Sequence, residues 1–320
     1  MSGSDIESTL LITVVQAALA LGCAPLLQGI TRKLKARLQY RRGPSIWQPY
    51  RDLRKWWSKT PVESEAASAL TELAPVVVLA AMIGALLLLP MVALRPPFER
   101  TGDLLVVLGI LALARFMLAL MALDAGSAFG GMGASREVAI ACLVEPGVFL
   151  ALAVAVAAAG TTDLGGIAAH IAADSRSWLA PPLLLAAAAF GIVAIAETGH
   201  EPVDNPDTHL ELTMIHEGML LEASGRRLAL LMYAAQLKLV VVVGLFAAAF
   251  LPFGAASEAT IPALALGSVL ALAKLVLAAC ALGLLDAGLA KLRILALPGL
   301  LGLSSVLALT AIAAQLWLPT

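Results

Sequence analysis

Apolar residues run along this chain in long unbroken stretches separated by short polar segments. Ser8–Thr31, Leu73–Leu94, Ser177–Ala196 and Ile294–Thr320 contain no charged residue. Leu104–Leu123 is interrupted only by Arg115, Val138–Thr162 by Glu145, Leu228–Pro252 by Lys238 and Ala259–Leu285 by Lys274. A hydrocarbon layer about 30 Å thick is crossed by roughly 20 apolar residues in a helix. The pattern therefore predicts eight spanning helices, at about 8–31, 73–94, 104–123, 138–162, 177–196, 228–252, 259–285 and 294–320. Ala, Leu and Val dominate without the dyad alternation of a membrane barrel. An open sheet would leave its backbone unsatisfied in lipid. The expected fold class is an all-α integral membrane protein, a single membrane domain over residues 1–320.

Composition agrees. Of 320 residues 60% are apolar and 13% charged, with mean hydropathy +0.92, whereas soluble domains carry about 25% charged residues. The rule of roughly 150 residues per soluble domain does not apply. Cys23, Cys142 and Cys280 lie far apart in apolar stretches, without the spacing of a disulfide framework or a metal site. Aromatics are only 5% of residues and there are no long Lys/Arg-rich tails, which excludes nucleic acid as the leading partner, while the net charge of −1 says little.

Loop charge sets the expected orientation. Arg32, Lys33, Lys35, Arg37, Arg41, Arg42, Arg51, Arg54, Lys55 and Lys59 lie between the first two spans, and Arg136, Arg226, Arg227, Lys291 and Arg293 fall on the same side. The opposite side has Arg95, Arg100 and Arg176. By the positive-inside rule the basic side is cytoplasmic and both termini face outward. Asp5 and Glu7 precede the first span without any Lys or Arg, so that span is expected to be retained rather than cleaved as a signal peptide. The two halves of the chain show no mirrored charge or loop pattern, which argues against an inverted-repeat carrier.

Two cytoplasmic loops, 32–66 and 197–227, are too rich for connectors. In the first, Gly43-Pro44 imposes a turn. Ile46, Trp47, Tyr50, Leu53, Trp56 and Trp57 then recur at helical spacing, predicting an amphipathic helix. It reads either as a basic cluster snorkelling to anionic lipid or, given its Trp, Tyr and Arg content, as a docking platform. The second holds Glu197, Glu201, Asp204, Asp207, Glu211, Glu217 and Glu222 with His200, His209 and His216. Interleaved Leu210, Leu212, Met214, Ile215, Met219, Leu220 and Leu221 predict a helix over Thr208–Glu222, N-capped by Asp207. Glu211 and Glu222 would then share a face, and carboxylates crowded by apolar neighbours can exchange protons near neutral pH. His216-Glu217 opens like a zinc-protease pattern, but Leu220 stands where the second histidine is needed. No metal and no catalytic centre is expected in this chain.

Charges inside spans cost about 2.5–3.5 kcal/mol each on insertion scales, so Arg115, Glu145, Lys238 and Lys274 should face protein or water. They fit a proton path through the bundle, or internal ion pairs such as Glu145 with Lys238 or Arg115. Glu145-Pro146 and Pro181-Pro182 mark helix starts or kinks.

RRGPSIWQPYRDLRKWW at 41–57, ASRE at 134–137, LVEP at 143–146 and the long motif from Glu201 to Leu231 resemble the membrane subunit of energy-converting (group 4) nickel–iron hydrogenases, the formate hydrogenlyase subunit 4 and hydrogenase-4 type. That family is homologous to the quinone-site membrane subunit of respiratory complex I. The resemblance covers essentially the whole chain. It implies a subunit of the bacterial inner membrane with no redox cofactor of its own; the nickel–iron centre and iron–sulfur clusters belong to partners. Those partners are the hydrogenase large and small subunits, an iron–sulfur protein and an antiporter-like membrane subunit. By position Glu201, Asp204, Asp207, Glu211 and Glu222 fall on the acidic pattern of the fifth loop, Arg41, Arg42, Gly43 and Pro44 on the first-loop motif, and Glu137 on a carboxylate of the third loop. Together with Glu145 and Lys238 the acidic residues form the expected coupling path. Trp47, His209 and His216 join the first-loop motif as docking residues. The chain departs from the complex I form: P-V-D-N-P-D replaces P-F-D-L-P-E, and no glutamate stands near Ile30–Thr31 ahead of the basic run. The alternatives are a quinone-site subunit of a complex I-like NADH dehydrogenase and an independent transporter.

Overall fold

A computed structural model describes residues 3–62, 64, 67–95, 102–173, 179–204 and 214–317, with side chains from residue 7 onward. Its regular structure is helical: α1 (Gly3–Leu38), α2 (Gln48–Trp57), α3 (Ala69–Leu88), α4 (Leu104–Asp124), α5 (Ala128–Ala159), α6 (Leu164–Ala173), α7 (Pro181–Glu197), α8 (His216–Leu220), α9 (Gly225–Phe250), α10 (Ile261–Gly288) and α11 (Leu297–Trp317). Seven of them, α1, α3, α4, α5, α9, α10 and α11, are long and apolar enough to cross a membrane. The predicted span at 177–196 is realised as α7, apolar but only 17 residues long, starting at the Pro181-Pro182 pair as expected.

Several boundaries differ from the hydropathy reading, each for a local reason. Helix α1 does not stop at the first cation but carries Arg32, Lys33, Lys35 and Arg37 within its last turns, because Lys and Arg are good helix formers. Pro90 follows the end of α3, so 89–95 leaves the helix that was predicted to run to 94. Helix α5 starts ten residues before the apolar stretch, capped by Ser127 Oγ accepting from Gly130 N at 3.1 Å. The expected interfacial helix exists as α2, its proline in the first turn where no amide donor is needed. Helix α6 was not foreseen; Leu164, Ile167, Ala168 and Ile171 form its buried face.

Helix α9 is the central post. Of its apolar window 61% is buried, against 28% for α10 and α11, and it packs on α1, α2, α3, α6 and α7. Around it α1 lies on α10, α3 on α4, and α5 and α7 on α11. Helix α2 is held against α1 because Gly29 has no side chain: a Cβ there would overlap the Ile46 carbonyl. The Tyr50 hydroxyl then donates to the Gly22 carbonyl. At the opposite end of the bundle, two non-helical segments meet. Ala256 N donates to Val92 O and Leu94 N to Ala256 O, both at 2.9 Å. The buried Gln16 amide of α1 donates to the Leu86 and Leu89 carbonyls at 2.8 Å each, adding a second donor to carbonyls at the end of α3 that already accept from Leu89 N and Met91 N.

Candidate functional site

Three of the charges isolated in apolar stretches converge. Arg115 sits midway along α4, Glu137 and Glu145 lie about two turns apart on α5, Glu197 ends α7, and Lys238 is midway along α9. The Arg115 guanidinium reaches both Glu197 oxygens at 2.6 Å, pairs with Glu145, and lies 3.9 Å from Glu137. Lys238 Nζ is 3.0 Å from Glu197. Glu145 is therefore paired with Arg115; Lys238 pairs with Glu197. A fork of planar donors suits Arg115 to several carboxylates at once. The pairing explains how these groups are tolerated inside apolar helices, since a charge taken out of water is costly unless it is partnered and hydrogen-bonded.

A second cluster caps the first where α7 ends. The chain turns after Glu197, and His200, Glu201 and Asp204 point back at α10 and α1. His200 Nδ1 is 2.8 Å from Asp286 Oδ2, and Glu201 N donates to Asp286 Oδ1 at 3.0 Å. Lys35 of α1 lies 3.4 Å from Glu201, and Lys291 lies 2.7 Å from Asp204. Between the clusters is a cavity of about 150 Å³, lined by Thr31, Glu137, Glu197, His200, Asp204, His216, Gln236, Lys238 and Asp286. Titratable groups thus follow one another from the loop segment to the middle of the bundle. His216 Nε2 and Gln236 Oε1 are buried without a hydrogen-bond partner among the described residues, and the cavity they line is polar enough to hold water.

The structure brings together Glu137, Glu145 and Lys238 at the network, and Glu201 and Asp204 in the buried loop-side cluster. Glu137 was assigned to a loop but lies within α5. Asp207, His209 and Glu211 lie outside the described residues. The helix predicted over Thr208–Glu222 is described only as the five residues of α8, with Glu222 beyond its end rather than on it. The cause is tertiary. Gly133 of α5 lets the backbone of Ile215, Gly218 and Met219 approach so closely that a Cβ would come within 2.9 Å of the Ile215 carbonyl. Arg136 holds the Met214 carbonyl at 3.1 Å. His216 therefore opens α8 and faces the cavity. Of the docking residues, Arg41, Arg42, Pro44 and Trp47 are exposed and Gly43 is half-buried. Arg51, Arg54, Lys55 and Trp57 extend the same basic, aromatic surface. Missed as site residues were Arg115, noted only as an intramembrane charge, the node Glu197, and the His200, Asp286, Lys35 and Lys291 set.

Known proteins share both the sequence and the fold. The model of the family described as NADH dehydrogenase matches residues 10–317. Hydrogenase-4 component C of Escherichia coli (strain K12) is 38% identical over 268 residues, 83% of each chain. Formate hydrogenlyase subunit 4 of the same organism is 36% identical over 286 residues, 89% of this chain and 92% of the relative. An NADH-quinone oxidoreductase subunit of Paraburkholderia xenovorans (strain LB400) is 27% identical over 262 residues, 75% of this chain and 73% of the relative. A chain in the structure of the membrane-bound sulfane sulfur reductase, an archaeal respiratory membrane complex, has the same fold, with TM-score 0.78 over 95% of this chain and 99% of that one at 23% identity. The resemblance read from the motifs is thereby borne out, and the chain is a multi-pass membrane protein.

Proposed function

The chain belongs to the NADH dehydrogenase family, and from that premise we propose that it is the membrane anchor and coupling subunit of a multisubunit, formate hydrogenlyase-like hydrogenase complex. It docks the nickel–iron hydrogenase arm on the basic side and links redox chemistry there to proton movement. The observation that carries the reading is the continuity of titratable groups. Asp204 lines the cavity on the loop side with Glu201 beside it against Asp286 and Lys35, and Glu197, Lys238, Arg115 and Glu145 carry the series to mid-bundle. Hydrogenase-4 component C and formate hydrogenlyase subunit 4 favour this branch at 38% and 36% identity, against 27% for the NADH-quinone oxidoreductase relative. A quinone-site role in a complex I-like enzyme therefore comes second.

In this reading α7 is the eighth span, both termini face outward, and the surface around α2 and α8 is cytoplasmic in a bacterial inner membrane. Excess Lys and Arg on that side supports the orientation. Arg41, Arg42, Gly43, Pro44, Trp47 and His209 belong to the docking surface, with His216 behind it on the cavity wall. Glu137, Asp207, Glu211 and Glu222 supplement the proton path. The nickel–iron centre and the iron–sulfur clusters reside in partner subunits, and an antiporter-like membrane subunit completes the complex.

Affinity purification of the full chain from native membranes, with its companions identified by mass, tests the assignment. A nickel–iron large subunit among them is the expected result. Quinone-enzyme subunits in its place would overturn the reading in favour of the second.

A further inference from the structure

The charge network is not closed. Glu145 lies near the middle of the 32-residue α5, yet 46% of its side chain is exposed, while Arg115 and Glu197 are 10% exposed. It lies at an apolar groove of about 220 Å³ whose outer walls are Leu105, Gly109 and Ala112 of α4 with Val148 and Phe149 of α5, and whose floor is the buried Phe190 of α7 and Leu245 of α9. Gly109 and Ala112 are themselves exposed, and a Cβ on Gly109 would meet nothing within 4 Å. Proline at 146 has no amide to give the Cys142 carbonyl one turn before, so this face carries acceptors. Arg115 and Lys238 face Glu137, Glu145 and Glu197 in the network. Ionised, the set carries one negative charge in excess.

We propose that the α4–α5 face is the docking site for a transmembrane helix of a second, different membrane subunit, which inserts a cationic or hydrogen-bond-donating side chain against Glu145. Lipid tails have no donor at this depth, and an uncovered carboxylate in hydrocarbon is unfavourable. The small residues Gly109 and Ala112 let a neighbouring backbone come close. The groove has the size of a few side chains, so it takes the knobs of a packed helix. The inference rests on the exposure and charge of this face in a membrane-embedded chain, and not on proton movement.

The test uses the full chain in its native membranes, with a photo-crosslinking amino acid placed at Ala112 or Phe149, and at Leu277 of α10, 69% exposed, as the lipid-facing control. The crosslinked peptides are mapped by mass spectrometry. The expected adduct from 112 and 149 is an apolar segment of one other membrane protein carrying Lys, Arg, His or a hydroxyl or amide donor, with only lipid adducts from 277. Glu145→Leu should cut that adduct several-fold and Glu145→Gln should retain more of it. Lipid adducts alone at 112 and 149, a second copy of this chain, or an adduct unaffected by Glu145→Leu would overturn the proposal. Because the readout is contact and not hydrogen turnover, failure here leaves the coupling role to be judged by its own assay.

Discussion

Two polar interiors lie inside the same apolar bundle, and they are built from opposite materials. At the Gln16 junction, helix ends and extended segments are joined by neutral groups: one amide donates to two carbonyls, and two backbone hydrogen bonds join residues 92–94 to Ala256. At the Arg115 network the groups are ionisable, and they border cavities of about 150 and 220 Å³. Neutral hydrogen bonds close a membrane protein against ions and need no water. Clustered charges demand partners and space, and this is the part of the molecule to which the proposed proton path is assigned.

The sharpest way to break this contrast is at Arg115. Arg115→Leu leaves Glu137, Glu145 and Glu197 facing one remaining cation, Lys238. Removing one member of a buried pair costs about 3–5 kcal/mol, so the variant should accumulate poorly in membranes, with Arg115→Lys recovering part of the yield on immunoblots. Gln16→Leu probes the other interior. It removes one of the two hydrogen bonds that each of the Leu86 and Leu89 carbonyls accepts, a loss of about 0.5–1.5 kcal/mol per bond, seen as a lower midpoint in thermal unfolding in detergent. Proton coupling per folded protein should be unchanged, because that junction is built from groups that do not ionise.

Much of this contrast was legible in the sequence. A charge inside an apolar stretch has no ordinary explanation, so Arg115, Glu145 and Lys238 stood out. Glu197 and Asp286 did not, because each sits at the edge of an apolar stretch, where an acid is expected to meet water. Only the turn of 198–204 back over α1 and α10 encloses them. Gln16 is uncharged and passes unnoticed in a hydropathy scan. The spans themselves were legible because burial in lipid dictates length and composition. Of the helix predicted over Thr208–Glu222 the described residues show α8, which starts where the Ile215 carbonyl meets Gly133, a contact that periodicity does not reveal.

Gly133→Ala refines that last point. The added methyl would crowd the Ile215 carbonyl and should cost about 1–3 kcal/mol as an overpacked contact, with faster proteolysis near α8 as the local readout. Smallest is Tyr233→Phe, which removes the hydrogen bond to the Leu21 carbonyl at 2.8 Å. A loss of about 1 kcal/mol is expected, visible as a shift of a few degrees in the same thermal assay.

The central claim is that Glu197 joins the two clusters: it lines the cavity shared with His200, Asp204 and Asp286, and it pairs with Lys238 at 3.0 Å and Arg115 at 2.6 Å. Hydrogen turnover and the accompanying proton movement, measured together in membrane vesicles carrying Glu197→Gln in an otherwise intact complex, test it directly. Assembly retained with turnover or its proton coupling strongly impaired is the predicted result. Wild-type turnover with wild-type proton movement would contradict the account.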